Sequence, residues 1–123
     1  MDQLYKVDGT AGKNIPGAPI LHFSLLVNPP SGSVSGIVRI TQATNPPLDA
    51  EIRVSGTIHA LGNQSETNVV LLEGTYPHVL PPPAIGTFLE QFSAVLWVDT
   101  KWNGYGDFKL GSIGVKNVPV HSS

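Results

Sequence analysis

Apolar and polar residues alternate with period two along much of the chain. Between Pro19 and Val27, Leu21, Phe23, Leu25 and Val27 alternate with His22 and Ser24, so the odd positions of a first strand face a core. From Ser33 to Gln42 the even positions Val34, Gly36, Val38 and Ile40 oppose Ser35, Arg39 and Thr41. From Glu51 to Leu61, Ile52, Val54, Gly56, Ile58 and Ala60 oppose Arg53, Ser55, Thr57 and His59. Each of these reads as a strand with one wet face. Further strands are expected over Asn68 to Tyr76, Ser93 to Thr100 and about Gly106 to Val118.

The breaks in the pattern are turn chemistry. "NPPSGS" and "ATNPPLDA" reverse the chain, because proline fixes φ and donates nothing to a ladder while Gly32 accepts positive φ. "GNQSET" reads as a loop, and Asn103-Gly104 is the favoured pair of a type I′ hairpin. One segment leaves period two: after the prolines at 81–83, Ile85, Phe88, Leu89 and Phe92 fall at helical spacing and predict a short helix near 83–92. Together these elements predict an all-β fold. It is a single-domain antiparallel meander over residues 1–123, curled into a barrel or a two-sheet sandwich that hides its strand edges. Residues 1–17 are expected to be irregular and 119–123 frayed.

"SVSGIVRI", Ser33 to Ile40, is echoed in "RVSGTIHA", Arg53 to Ala60, and "LEGTY" again centres a glycine, Gly74. The likeness is too short for a structural repeat. Gly36 and Gly56 share the core-facing parity of their strands, so they read as curvature and packing devices rather than ligand contacts.

Composition narrows the function. The chain has 123 residues, enough to bury a core without cross-links, and only 13% are charged. A net charge of −2 supplies no broad positive field, which disfavours nucleic acid as a partner. Cysteine is absent, which rules out disulfides and thiolate chemistry and agrees with a reducing compartment. The amino terminus has no basic, apolar leader and no run approaches the ~20 apolar residues of a spanning helix, so a cytoplasmic protein without a membrane partner is expected.

The run "PGAPILHFSLLVNPPSGSVSGIVRITQATNPPL", Pro16 to Leu48, resembles the opening of a family of small bacterial proteins catalogued only as a domain of unknown function. The resemblance implies a small cytoplasmic all-β protein and brings no catalytic residues with it. Locally, "LEGTY" at Leu72 to Tyr76 is similar to strand motifs of streptavidin-type barrels, which also carry tryptophans in late strands. That likeness implies a small-ligand site inside a barrel.

Candidate chemistry is sparse. His22, His59, His78 and His121 show no zinc-ligand spacing, so no metal and no cofactor are expected. Asp99 and Asp107 flank a predicted hairpin and could act as an acid–base pair, but with Lys101 and Lys109 beside them they read more simply as a charge-balanced turn. No G-x-S-x-G elbow occurs, and "GTAGKN" and "GYGDFKLG" break the phosphate-loop and dinucleotide patterns. No catalytic residue is therefore assigned. Trp97, Trp102 and Tyr105 gather at one hairpin, where rigid rings could anchor a ligand.

The reading is a non-enzymatic binding or protein-interaction module, using Trp97, Trp102, Tyr105 and His22, with a protein or small molecule as partner. A monomer or weak homodimer is expected. Two alternatives stand beside it. One is a ligand-binding barrel, or an enzyme with an interior pocket served by His22, Asp99 or Glu90. The other is a structural subunit that self-assembles through a strand edge or the Ile85–Phe92 face.

Overall fold

The computed structural model describes residues 3–44, 47–61, 64–79 and 86–123. Eight strands follow one another: β1 Tyr5–Ala11, β2 Ile20–Asn28, β3 Ser33–Gln42, β4 Leu48–Leu61, β5 Gln64–Val79, β6 Thr87–Val98, β7 Gly104–Leu110 and β8 Ile113–Ser122. Every strand pairs antiparallel with its chain neighbour, and β1 pairs with β8, so the meander closes as an up-and-down barrel rather than a sandwich.

Several local expectations are corrected. The segment expected to be irregular holds β1, and the expected frayed end belongs to β8, where Val120–Ser122 pair with Gly9–Ala11 and seal the barrel. Thr87–Phe92 is strand rather than helix, while 83–85 lie outside the described residues. The helical spacing of Phe88, Leu89 and Phe92 is outweighed by the β5–β6 ladder, which runs unbroken from Asn68↔Val98 to Val79↔Thr87. Asn103-Gly104 is not a two-residue turn: Gly104 already pairs with Val98, and the connection runs from Asp99 to Asn103. The expected last strand is two, because Gly111 (φ 58) and Ser112 turn the chain between Leu110 and Ile113 in the type II′ pattern. Ala60, expected to face inward, lies exposed at the barrel rim.

The wall is strongly staggered. Stepping across strand partners from Ala50 through Ile40, Leu21, Ala11, Val120, Gly104, Val98 and Asn68 returns to β4 at Ala60, ten residues on. On eight strands such a stagger tilts the strands by roughly 45° and leaves an interior that side chains can fill. Large residues stand beside small ones to fill it. One row around the inner wall reads Leu25, Gly36, Val54, Gly74, Phe92, Leu110, and the next reads Val27, Val34, Gly56, Leu72, Ala94, Phe108. Phe92 and Phe108 are fully buried in the space the glycines leave.

At Gly36 and Gly56 the reason for glycine is close backbone approach. A Cβ on Gly56 would run into the Leu71 carbonyl oxygen and lie 2.7 Å from its carbon; one on Gly36 would meet the Ser24 carbonyl and lie 2.9 Å from Leu25 Cα. The neighbouring strand therefore coils across these positions, which tightens the wall.

One end of the barrel is closed by the connection between β6 and β7. The Asp99 carboxylate accepts the backbone N–H groups of Lys101 (2.8 Å) and Asn103 (3.0 Å), and the Trp102 N–H bonds the Asp99 carbonyl. This turn holds Trp102 at φ 63 and swings its indole inward, 3% exposed, against Phe23 at 5.9 Å. Indole Nε1–H donates to the Tyr5 hydroxyl at 3.1 Å, tying β1 to the plug. Asn103 Oδ1 accepts the Ser122 N–H at 3.3 Å and ties in β8. The turn thus fastens both strands of the closing seam.

Outside, charged side chains stand along the strands, among them Arg39, Glu51, Arg53 and Glu73. The interior is filled with apolar side chains, whereas the lumen of a membrane-spanning barrel is polar. Among the described residues no helix is long and apolar enough to cross a membrane.

Candidate functional site: the outer face of β5 to β8

Single outward apolar residues occur on β2 and β3, at Leu26 and Ile37, but two strands carry longer apolar runs. "VVLL" (69–72) in β5 and "AVLWV" (94–98) in β6 are unbroken apolar runs. Val70, Leu72, Ala94, Leu96 and Val98 fill the interior, so Val69, Leu71, Val95 and Trp97 must point outward. Strand pairing extends them into a row. Val69 pairs with Trp97, Trp97 with Tyr105 and Tyr105 with Pro119, while Leu71 and Val95 pair in the next row. Leu71 is 42% and Tyr105 50% exposed, and Trp97 is half-buried.

The Trp97 and Tyr105 rings stack with centroids 5.3 Å apart and planes 20° from parallel. Near-parallel rings at this separation are offset along one another, an arrangement that aromatic pairs favour. The pair stands as a ridge between Val69 on β5 and Pro119 on β8.

The four residues singled out by the sequence are thus divided. Trp97 and Tyr105 form the ridge, Trp102 lies inside as the plug, and His22 stands exposed on β2. The His22 Nε2 lies 3.3 Å from Thr41 Oγ1. Beside it Arg39 grips Asp49 with two hydrogen bonds of 2.7 and 2.6 Å, and that guanidinium holds the Asp49 carboxyl below its usual range. Asp49 and Thr41 border a recess of about 670 Å³ between the β1–β2 and β3–β4 connections, where the Gln42 amide donates to the Gly17 carbonyl at 3.0 Å.

The acid–base candidates do not converge. His22 is on the outer wall, Asp99 serves its own turn, and Glu90 points inward at the opposite end of the barrel, beside Gly111. Asp107 accepts the Asn117 N–H at 2.7 Å and anchors a bulge in β8. Backbone N–H groups, that of Asn103 foremost, hold the Asp99 carboxyl below the ordinary range. Among the described residues no group of three or more histidines and carboxylates could hold a metal. Sequence reasoning missed Val69, Leu71, Val95 and Pro119. The signal was present in the two unbroken apolar runs, because a strand apolar on both faces calls for cover on both.

The model of the family described as Domain of unknown function (DUF1842) matches residues 3–114, which takes in β1 to β7 and the start of β8. The chain belongs to that family. No curated protein matches it.

Proposed function

We propose that this barrel is a non-enzymatic recognition module that binds a protein partner on the outer face of β5 to β8. The observation that carries the reading is the uncovered apolar row: residues 69–72 of β5 and 94–98 of β6 are apolar on both faces, and only the inner face is packed. The filled interior supports the same reading over a ligand-binding barrel or an interior-pocket enzyme. Leu, Val and Phe side chains occupy the space that a ligand would need, and Trp102 closes one end. The cysteine-free sequence suits a reducing, cytoplasmic setting.

Edge-to-edge self-assembly is disfavoured by the seam. β1 and β8 share three paired positions, and the lengths left uncovered carry exposed Lys6 on one side and Lys116 beside the Asn117 bulge on the other. Lysines and bulges are the usual guards of a free edge.

Tyr105→Ser together with Leu71→Ser removes exposed apolar surface while leaving the interior intact. Retention of a partner from extracts of the source cell should fall to background, with the melting temperature unchanged within a few degrees. Full retention by the double variant would overturn the reading. The recess beside Asp49 offers a second site, because its volume and mostly apolar lining suit a small molecule.

A further inference from the structure

The apolar wall carries both signs of charge, and strand register lays them out symmetrically. Glu73 on β5, Ser93 on β6 and Lys109 on β7 form one exposed cross-strand row. Two strand spacings put Glu73 and Lys109 about 10 Å apart, one on either side of β6. Among the described residues neither forms an ion pair within the chain. The next two rows carry the apolar surface, Leu71 beside Val95 in one and Val69, Trp97 and Tyr105 in the other.

A face that is acidic on one flank, basic on the other and apolar beside both is complementary to itself. A two-fold axis running along β6 in the plane of contact lays β6 on β6, and β5 of each copy on β7 of the other. Glu73 of one copy then meets the partner's Lys109, and the symmetry makes this contact a second time. In the aromatic row Trp97 lies over the partner's Trp97, and Val69 over the partner's Tyr105. Leu71 comes over the partner's Asp107, a carboxylate that already accepts the Asn117 N–H at 2.7 Å. No like charges meet in these three rows.

From this register we infer that the occupant of the β5–β8 wall is a second copy of this chain, packed face to face with Glu73 of each copy against the partner's Lys109. The inference rests on the recognition reading above and names the partner, and it differs from edge pairing because the strand ladders stay closed. A convex wall limits the contact to a few strands. Roughly ten residues a side, against about 20–30 in a standard interface, make a weak dimer that dissociates on dilution. Exposed charge pairs at its rim are screened, so the dimer should loosen as salt rises.

Sedimentation velocity from micromolar to millimolar protein, with Trp97 emission read alongside, tests it. The expected result is a reversible monomer–dimer equilibrium, with emission shifting to the blue as the dimer forms. Glu73→Lys alone, or Lys109→Glu alone, makes both cross-copy pairs repulsive and should raise the dissociation constant roughly tenfold. The double variant Glu73→Lys/Lys109→Glu should restore the dimer, and an equimolar mixture of the two single variants should associate more tightly than either alone. A strict monomer over the whole range would overturn the inference, as would a dimer indifferent to the single charge reversals or not restored by the double one. If a strictly monomeric barrel still retains a different protein from extracts, and loses it in Tyr105→Ser/Leu71→Ser, the second copy is overturned and the recognition face stands. Neither self-association nor retention would overturn both.

Discussion

Gly56→Ala should destabilise the barrel far more than a single methyl group suggests. The added carbon would overlap the Leu71 carbonyl oxygen, lie 2.7 Å from its carbon and 3.0 Å from Leu72 Cα. These are backbone atoms of β5, which pairs with β4 on one side and β6 on the other, so no side-chain rotation relieves the clash. The strands must part locally, weakening the Gly56↔Leu72 and Thr57↔Leu71 pairings. Overpacking of this kind costs about 1–3 kcal/mol, and strained ladder hydrogen bonds add about 0.5–1.5 kcal/mol each. A total of roughly 3 kcal/mol lowers the melting temperature of a chain this size by about 10 °C.

Gly114→Ala is the control. Its Cβ would find Lys109 Cγ at 3.6 Å, an ordinary contact, and removing glycine restricts the unfolded chain, which contributes about 0.4–1 kcal/mol of stability. Urea titrations and thermal melts of the two variants, compared with wild type, read the difference. A Gly56→Ala protein as stable as wild type, or two variants displaced equally, would refute close strand approach as the reason for the mid-strand glycines.

Trp102→Ala should cost about 3–5 kcal/mol because it empties the plugged end, whereas Trp102→Phe should lose about 1 kcal/mol with the Tyr5 hydrogen bond; denaturant midpoints decide between them. Iodide should quench Trp97 and spare Trp102, so Trp97→Phe should leave emission almost insensitive to quencher. For Asp99, the folded carboxyl titrates below its unfolded value of 3.8, so its stabilising effect is present above that value and is lost as pH falls through the folded pKa. An acid melt should therefore show Asp99→Asn, which keeps an acceptor oxygen, with a weaker dependence on pH below about 4 than wild type.

Period-two alternation in β2, β3 and most of β4 was legible because each strand has one packed and one wet face. The core-facing parity of Gly36 and Gly56 was legible for the same reason. β1 was not: its inward positions include Gly9 and Ala11, which supply little apolar signal, and it becomes a strand by pairing with Leu21–Val27. The start of β6 was misread as helix because apolar residues at 88, 89 and 92 satisfy helical spacing and only the partner strand decides. The aromatic residues were found but wrongly grouped. Sequence proximity joins Trp102 to Tyr105, while the Asp99 turn sends one ring inward and the pleat sends the other outward.

Recognition on the β5–β8 wall, as proposed, is tested most directly by where the barrel can be crosslinked to a partner. A photo-crosslinking residue placed at Leu71, and in a second protein at Ile37 on the β3 wall, compares two outward positions of similar exposure, 42% and 40%. Irradiation in the source cell should yield a discrete adduct from position 71 and none from position 37. Adducts from position 37 alone, or equally from both, would contradict it.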